Sequence, residues 1–203
     1  MAQKIDPLEP HWNALAAADA ADVAARTGCR LDADGARFVV GFLGREYVVD
    51  AEARLVRPAD DPSRPANFEV GMVLLVYLAY AKDLPETGRW ITEKNLPTGE
   101  LFFRGLHALP TPHLAAAFGD DPDQLTEAAR GLGGRSVLGP ADATVDLRVL
   151  PHVPVRLQLW ASDDEFDAHA SMLFDASIEH QLALDAIGSM ASRLVKCLCR
   201  GAG

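Results

Sequence analysis

The chain has 203 residues, with 19 Lys+Arg against 29 Asp+Glu and a formal net charge of -10. That length suits one domain, and roughly 70% of the unfolded surface leaves water on folding, so neither disulfide nor metal is needed to hold a core. Hydrophobic residues at 49% and charged ones at 24% exclude a disordered chain. The acidic balance argues against a general nucleic-acid binder, whose affinity begins with Lys and Arg neutralising phosphates.

In chain order, Asp6-Pro7 reads as an N-cap followed by Pro at the first helical position, and Gly28 as the closing residue of one helix. Asp34-Gly35 is a turn signal. Arg37 to Leu43 and Glu46 to Asp50, split by Gly44-Arg45, read as paired strands rich in Val, Phe and Tyr, and Leu55-Val56 adds a short third. Residues 1–57 are therefore expected to form a helix plus a small meander. Residues 58–65 form a mobile loop within one fold, and residues 66–203 the main part. Asn67 caps an uncharged apolar helix from Val70 to Ala81, with Glu69 at its positive end and Lys82 at its negative end. Its twelve residues fall short of the roughly twenty that a membrane span needs.

Further on, Thr87 to Glu93 is expected as a short strand, with a turn around Pro97-Thr98-Gly99. Pro112 to Phe118 and Pro122 to Arg130 are expected helices. Val145 to Val149 and Val153 to Trp160 form the clearest strand pair, with Pro151 and Pro154 bracketing the turn. Ser171 to Phe174 fits strand or helix. Leu184, Ile187, Ala191, Leu194 and Leu198 recur at helical spacing, with Lys196 and Arg200 in the last turn and Gly201 after it. Consecutive strands with separate helices predict a single α+β domain. In it, an antiparallel sheet is packed by N-terminal, central and C-terminal helices. Met1 to Pro10 holds one Lys and no apolar run, and the cysteines are Cys29, Cys197 and Cys199. An odd thiol count without a leader predicts the cytoplasm.

The chemistry-bearing residues are few. Between Arg156 and Arg193 there is no Lys or Arg, yet seven acids occur: Asp163, Asp164, Glu165, Asp167, Asp175, Glu179 and Asp185. Crowded carboxylates repel unless a cation, a shared proton or water screens them. Two readings stay open. One is a metal or acid–base site in which Asp164, Glu165 and Asp175 are ligands and His180 is the general base; the other is a solvated acidic loop. Asp32-Ala33-Asp34-Gly35 opens like a calcium loop, but Leu43 stands where such a loop needs Glu. Cys197 and Cys199 point to nearly opposite sides of a helix and cannot chelate well together. Gly131-Leu132-Gly133-Gly134 lacks the Lys-Ser/Thr of a P-loop and ends a helix instead. Arg89, Trp90, His152 and Trp160 could wall a pocket for a planar ligand, with His152 as a candidate axial ligand and Arg89 for an acidic substituent.

Several segments carry a resemblance: Thr87-Gly88-Arg89-Trp90-Ile91, Leu96-Pro97-Thr98-Gly99-Glu100-Leu101-Phe102, and Leu132-Gly133-Gly134. Then come Leu150-Pro151-His152-Val153-Pro154-Val155, Leu159-Trp160, Asp164-Glu165-Phe166 and Met172-Leu173-Phe174-Asp175. In this order they resemble the family called domain of unknown function 3786, over roughly Val70 to Leu198. The resemblance brings no activity with it. It implies an anaerobic setting and, from relatives with an added cysteine-rich module, an iron–sulfur or corrinoid protein as partner. This chain lacks those cysteines, so such a module is a separate partner or absent. Asp167 stands where the family pattern leads one to expect proline. The functions to be tested are three. The first is a soluble binding or accessory protein for a small cofactor, a corrinoid or other tetrapyrrole. The second is a metal-dependent hydrolase or lyase using residues 163–180, and the third is a partner-binding scaffold. No nucleic-acid or membrane partner is expected.

Overall fold

The computed structural model describes residues 6–200. The leader reading, which rests partly on residues 1–5, and Gly201 as the closing residue of the last helix lie outside the described residues. The fold is α+β, with helices packed on antiparallel sheet, as the order of elements predicts.

The first helical stretch is two helices, α1 (Glu9–Ala17) and α2 (Ala20–Thr27). Asp19 breaks the run because its carboxylate accepts from the Asp22 N–H at 2.9 Å and starts α2 afresh. Gly28 closes α2 with a φ of 65°. A Cβ there would lie 3.1 Å from the His152 ring, so glycine is required twice over.

Strands β1 (Arg30–Leu31), β2 (Phe38–Phe42), β3 (Arg45–Asp50) and β4 (Leu55–Pro58) form an antiparallel meander in that order. The β2–β3 turn is Leu43-Gly44, both at positive φ, which matches the twist of a two-residue hairpin. Leu43 is nevertheless buried, and its N–H donates to the Val149 carbonyl at 3.1 Å, docking the meander on the second sheet.

Helix α3 (Phe68–Tyr80) follows, capped by the Asn67 side chain on the Val70 N–H at 3.0 Å. Every residue from Val73 to Leu78 is buried, so the helix has no solvent face to spare. Its last carbonyls are satisfied by one side chain: the Arg26 guanidinium donates to Ala81 O and Leu78 O at 2.6 Å each, and to Ala79 O at 3.3 Å. Lys82, expected at that end, lies beyond it and donates its backbone N–H to His180 O. Tyr77, fully buried, donates to Thr27 O at 2.7 Å and accepts from His152 N–H at 3.2 Å. Burial holds its phenol far above the ordinary range.

The second sheet has the order β5 (Trp90–Ile91), β9 (His169–Asp175), β8 (Val153–Trp160), β7 (Ala143–Leu150), β6 (Arg135–Ser136), all antiparallel. The strands are thus divided between two sheets. The Thr87 to Glu93 strand shrinks to Trp90–Ile91, because residues 82–89 form an exposed extended strap. Ser171 to Phe174 is strand, and the β7–β8 turn is Pro151-His152 alone. Helices α4 (Gly99–Phe102), α5 (Thr111–Phe118) and α6 (Pro122–Arg130) follow β5. The inner face of the sheet, with Val145, Val155, Leu157, Met172 and Phe174 buried, packs on α5 and α6. Helix α7 (Leu184–Cys199) lies against α3, α5 and α6. One continuous apolar core runs from Trp12 to Leu198. Among the described residues, no helix is long and apolar enough to cross a membrane.

Replacing Arg26 with Met should destabilise the protein by about 1.5–3 kcal/mol, because the buried carbonyls at the end of α3 lose a charged donor. A urea midpoint unchanged from the parent would show that water serves those carbonyls equally well.

Candidate functional site

The acidic run does not converge. Asp163 turns back on its own loop, accepting from the Glu165 and Phe166 N–H groups at 2.8 and 2.7 Å, and Asp164 and Glu165 stay exposed on the same bend. These hydrogen bonds hold the Asp163 carboxyl below its ordinary range. Asp175 sits at the opposite end of β9 from His169, a span of roughly 20 Å of extended strand. His180 lies on the short 3-10 turn Ala176–His180 after it, 3.6 Å from Glu179. Among the described residues, no three His, Cys, Asp or Glu side chains are grouped to hold a metal ion. The expected ligand set of Asp164, Glu165 and Asp175, with His180 as base, is therefore corrected to two separate places in the fold.

Asp175 does structural work. Its buried carboxylate accepts from Thr87 N–H and Oγ1 at 3.0 Å each, Gly88 N–H at 2.7 Å and Ser177 N–H at 2.9 Å. Burial alone raises the carboxyl, but these hydrogen bonds outweigh it and bring the group down to about 2. It pins the 82–89 strap to the end of β9 and caps the 3-10 turn.

The expected cofactor wall is dispersed as well. Trp160 stacks on His169 across β8 and β9, with ring centroids 4.3 Å apart and planes 4° from parallel. His152 is at the other end of β8, roughly 25 Å away along the strand, packed against Gly28. Trp90 on β5 lies under the Arg156 guanidinium at 4.4 Å, and Arg156 is itself paired with Asp146 at 2.7 Å. Arg89 is exposed on the strap and uses its backbone carbonyl to hold Ala176 N–H. These four residues do not share a pocket, and a macrocycle has no common wall among them. The free thiols Cys29, Cys197 and Cys199 do not make up a cluster-binding set either: Cys29 is buried by α2, and the other two sit on α7.

A different constellation does converge. Where the meander meets α3 and α7, a pocket of about 250 Å³ is lined by Arg45, Arg64, Arg193 and Arg200, together with Tyr47 and Asp61. Arg45 and Tyr47 come from β3. Arg64 and Asp61 come from the loop after β4, Arg193 comes from α7, and Arg200 is the residue that caps the end of α7. The loop is held rather than mobile. Ala59 N–H donates to Glu46 O at 2.9 Å, Ala66 N–H to Val56 O at 2.8 Å, and Arg45 places two N–H groups on one Asp60 oxygen at 2.9 and 2.6 Å. That hydrogen bonding keeps the Asp60 carboxyl below its ordinary range. Burial pushes the Tyr47 phenol up against the pull of the Arg45 and Arg193 charges, so Tyr47 meets a ligand as a neutral hydroxyl.

Arg193 is the informative member. Its side chain is only 12% exposed, its nearest carboxylate, Glu69, is 4.0 Å away, and its Nε is buried without a hydrogen-bond partner. An unpaired buried donor on a charged group is costly to leave unmade, and it leaves the Arg193 guanidinium short of partners beside the pocket. The only legible hint in the sequence is the seven-residue spacing of Arg193 and Arg200, which puts both on one side of the last helix. Arg45 and Arg64 carry no such signal.

A family whose description reads Domain of unknown function (DUF3786) matches residues 19–197. The chain belongs to that family. The match begins before the meander, so the DUF3786 unit includes β1–β4 and the lining of the arginine pocket apart from Arg200, a longer span than the resemblance from Val70 onward implies. No curated protein and no solved structure matches the chain.

Changing Asp175 to Asn should lower stability by about 1–2 kcal/mol at pH 7. Because the folded carboxyl titrates below the unfolded one, its contribution is full above about pH 4 and fades as pH falls to about 2. Parent and variant urea midpoints should therefore converge between pH 4 and pH 2, whereas Asp164→Asn should stay within about 0.5 kcal/mol of the parent. A gap that ignores pH would mean that shape, not charge, pins the strap.

Proposed function

We propose that this DUF3786 chain is a soluble binding or accessory protein that holds a small anionic ligand in its arginine pocket. The observation that carries the proposal is the convergence of four arginines on one pocket, one with a buried unpaired Nε, in a chain of net charge -10. An acidic surface repels anions in general, so a local excess of guanidinium selects where one can sit. Arginine forks suit carboxylate and phosphate, which lets the pocket hold the ligand by its acidic groups.

A corrinoid or other tetrapyrrole fits the proposal only through its acidic periphery, since the volume is below the roughly 300–1,000 Å³ of sites that enclose drug-sized ligands. The cytoplasmic and anaerobic setting, and an iron–sulfur or corrinoid protein as partner, belong to the same proposal. Its support there is the family resemblance, together with three thiols that are all free. The metal-dependent hydrolase has no gathered ligand set behind it. The scaffold reading has one observation in its favour: Phe68 and Leu106 are exposed at a groove lined by α3, α7 and residues between 102 and 110.

Ligand binding to the folded state alone raises stability by about 2.7 kcal/mol at a hundred times Kd. Small carboxylates and phosphates screened by thermal shift at fixed ionic strength should include at least one that raises the melting temperature. The rise should vanish in Arg64→Gln and Arg193→Met. If no anion moves the melting temperature, the proposal fails.

A further inference from the structure

Charge accounting narrows the ligand of the same pocket, and the inference rests on the anion-binding function just proposed. Arg45 is neutralised by Asp60, which takes two of its N–H groups. Glu69, the acid nearest Arg193, is already engaged by Lys196 Nζ at 2.7 Å. Among the described residues, neither Arg64 nor Arg200 has a carboxylate within ion-pair distance. Asp61 is the remaining acid on the lining, and its carboxylate accepts the Ser63 hydroxyl at 2.7 Å. Among the described residues, Arg64, Arg193 and Arg200 against Asp61, with Glu69 shared between Arg193 and Lys196, leave two positive charges in excess.

We infer that the pocket is built for a compact dianion of the phosphate-monoester class, held between Arg64 on the loop, Arg193 on α7 and Arg200 at its C-terminal cap. The geometry agrees with the charge. Guanidinium groups line the pocket from two separate elements, so a tetrahedral group with three terminal oxygens can be met from both sides. The volume of about 250 Å³ takes a phosphoryl group and a small body attached to it. Tyr47 adds a neutral O–H donor from the third side. A monoanion leaves one guanidinium unpaired and still meets the repulsion of Asp61, so it binds more weakly.

Among the described residues no histidine lines the pocket, so between pH 5 and 7.5 the test follows the second ionisation of the phosphate monoester itself. Titration calorimetry at constant ionic strength with methyl phosphate, sulfate, dimethyl phosphate and acetate tests the inference on the full chain. At pH 7.5, methyl phosphate and sulfate should bind at least tenfold more tightly than dimethyl phosphate and acetate. With a second pKa near 6, methyl phosphate should lose about tenfold in affinity at pH 5, while sulfate holds its own. Arg64→Gln and Arg200→Gln, both at exposed positions that leave the fold intact, should each cost tenfold or more for methyl phosphate. Dimethyl phosphate or acetate binding as tightly as methyl phosphate would overturn the dianion and leave an anion pocket standing. Binding untouched by both arginine changes, or no binding of any of the four probes, would overturn the pocket itself.

Discussion

Helix α3 has no polar side, and that constraint shapes the rest of the molecule. A helix apolar all round must be enclosed on every face, and its end carbonyls must find donors away from water. Elements from both ends of the chain meet this demand: α1 and α2 pack on it from the N-terminal side and α7 from the C-terminal side. Arg26 reaches from α2 to cover its last carbonyls, and Tyr77 ties its middle to Thr27 and His152. The meander also packs directly on the second sheet, β2 against β7. The buried turn Leu43-Gly44 adds a direct contact to Val149.

The arginine pocket is a by-product of that enclosure. Surrounding α3 brings the start of the helix, the loop after β4 and the end of α7 to one seam, where side chains distant in sequence meet. The loop is rich in proline and acid, yet it is fixed at both ends by backbone hydrogen bonds and in the middle by Arg45 on Asp60. A fixed loop can present Arg64 at a constant distance from α7, which pre-organises an anion seat at little entropic cost.

Local signals were legible and distant ones were not. The bounds of α6 at Pro122 and Arg130, the strand from Val153 to Trp160, and the Asn67 cap all follow from residues next to one another. The first helix was read as one piece because alanine fills both sides of Asp19, and a capping carboxylate outweighs helix propensity at that point. The candidate sites failed for a geometric reason. Asp164, Glu165 and Asp175 look close in sequence, but an extended strand separates them by some 20 Å. His152 and Trp160 are parted by the whole of β8 in the same way. Arg45, Arg64, Arg193 and Arg200 meet only through tertiary packing, and pattern along the chain does not encode that meeting.

The seam also ties the site to the order in which the chain is made. Its first two contributors, β3 and the loop after β4, leave the ribosome well before Arg193 and Arg200 do. Until α7 docks, α3 lies open along one side and the seat has half its charges. A chain cut short before α7 would carry Arg45 and Arg64 to no effect. Ligand binding then reports on the docking of α7, since the long-range closure that finishes the core also finishes the pocket.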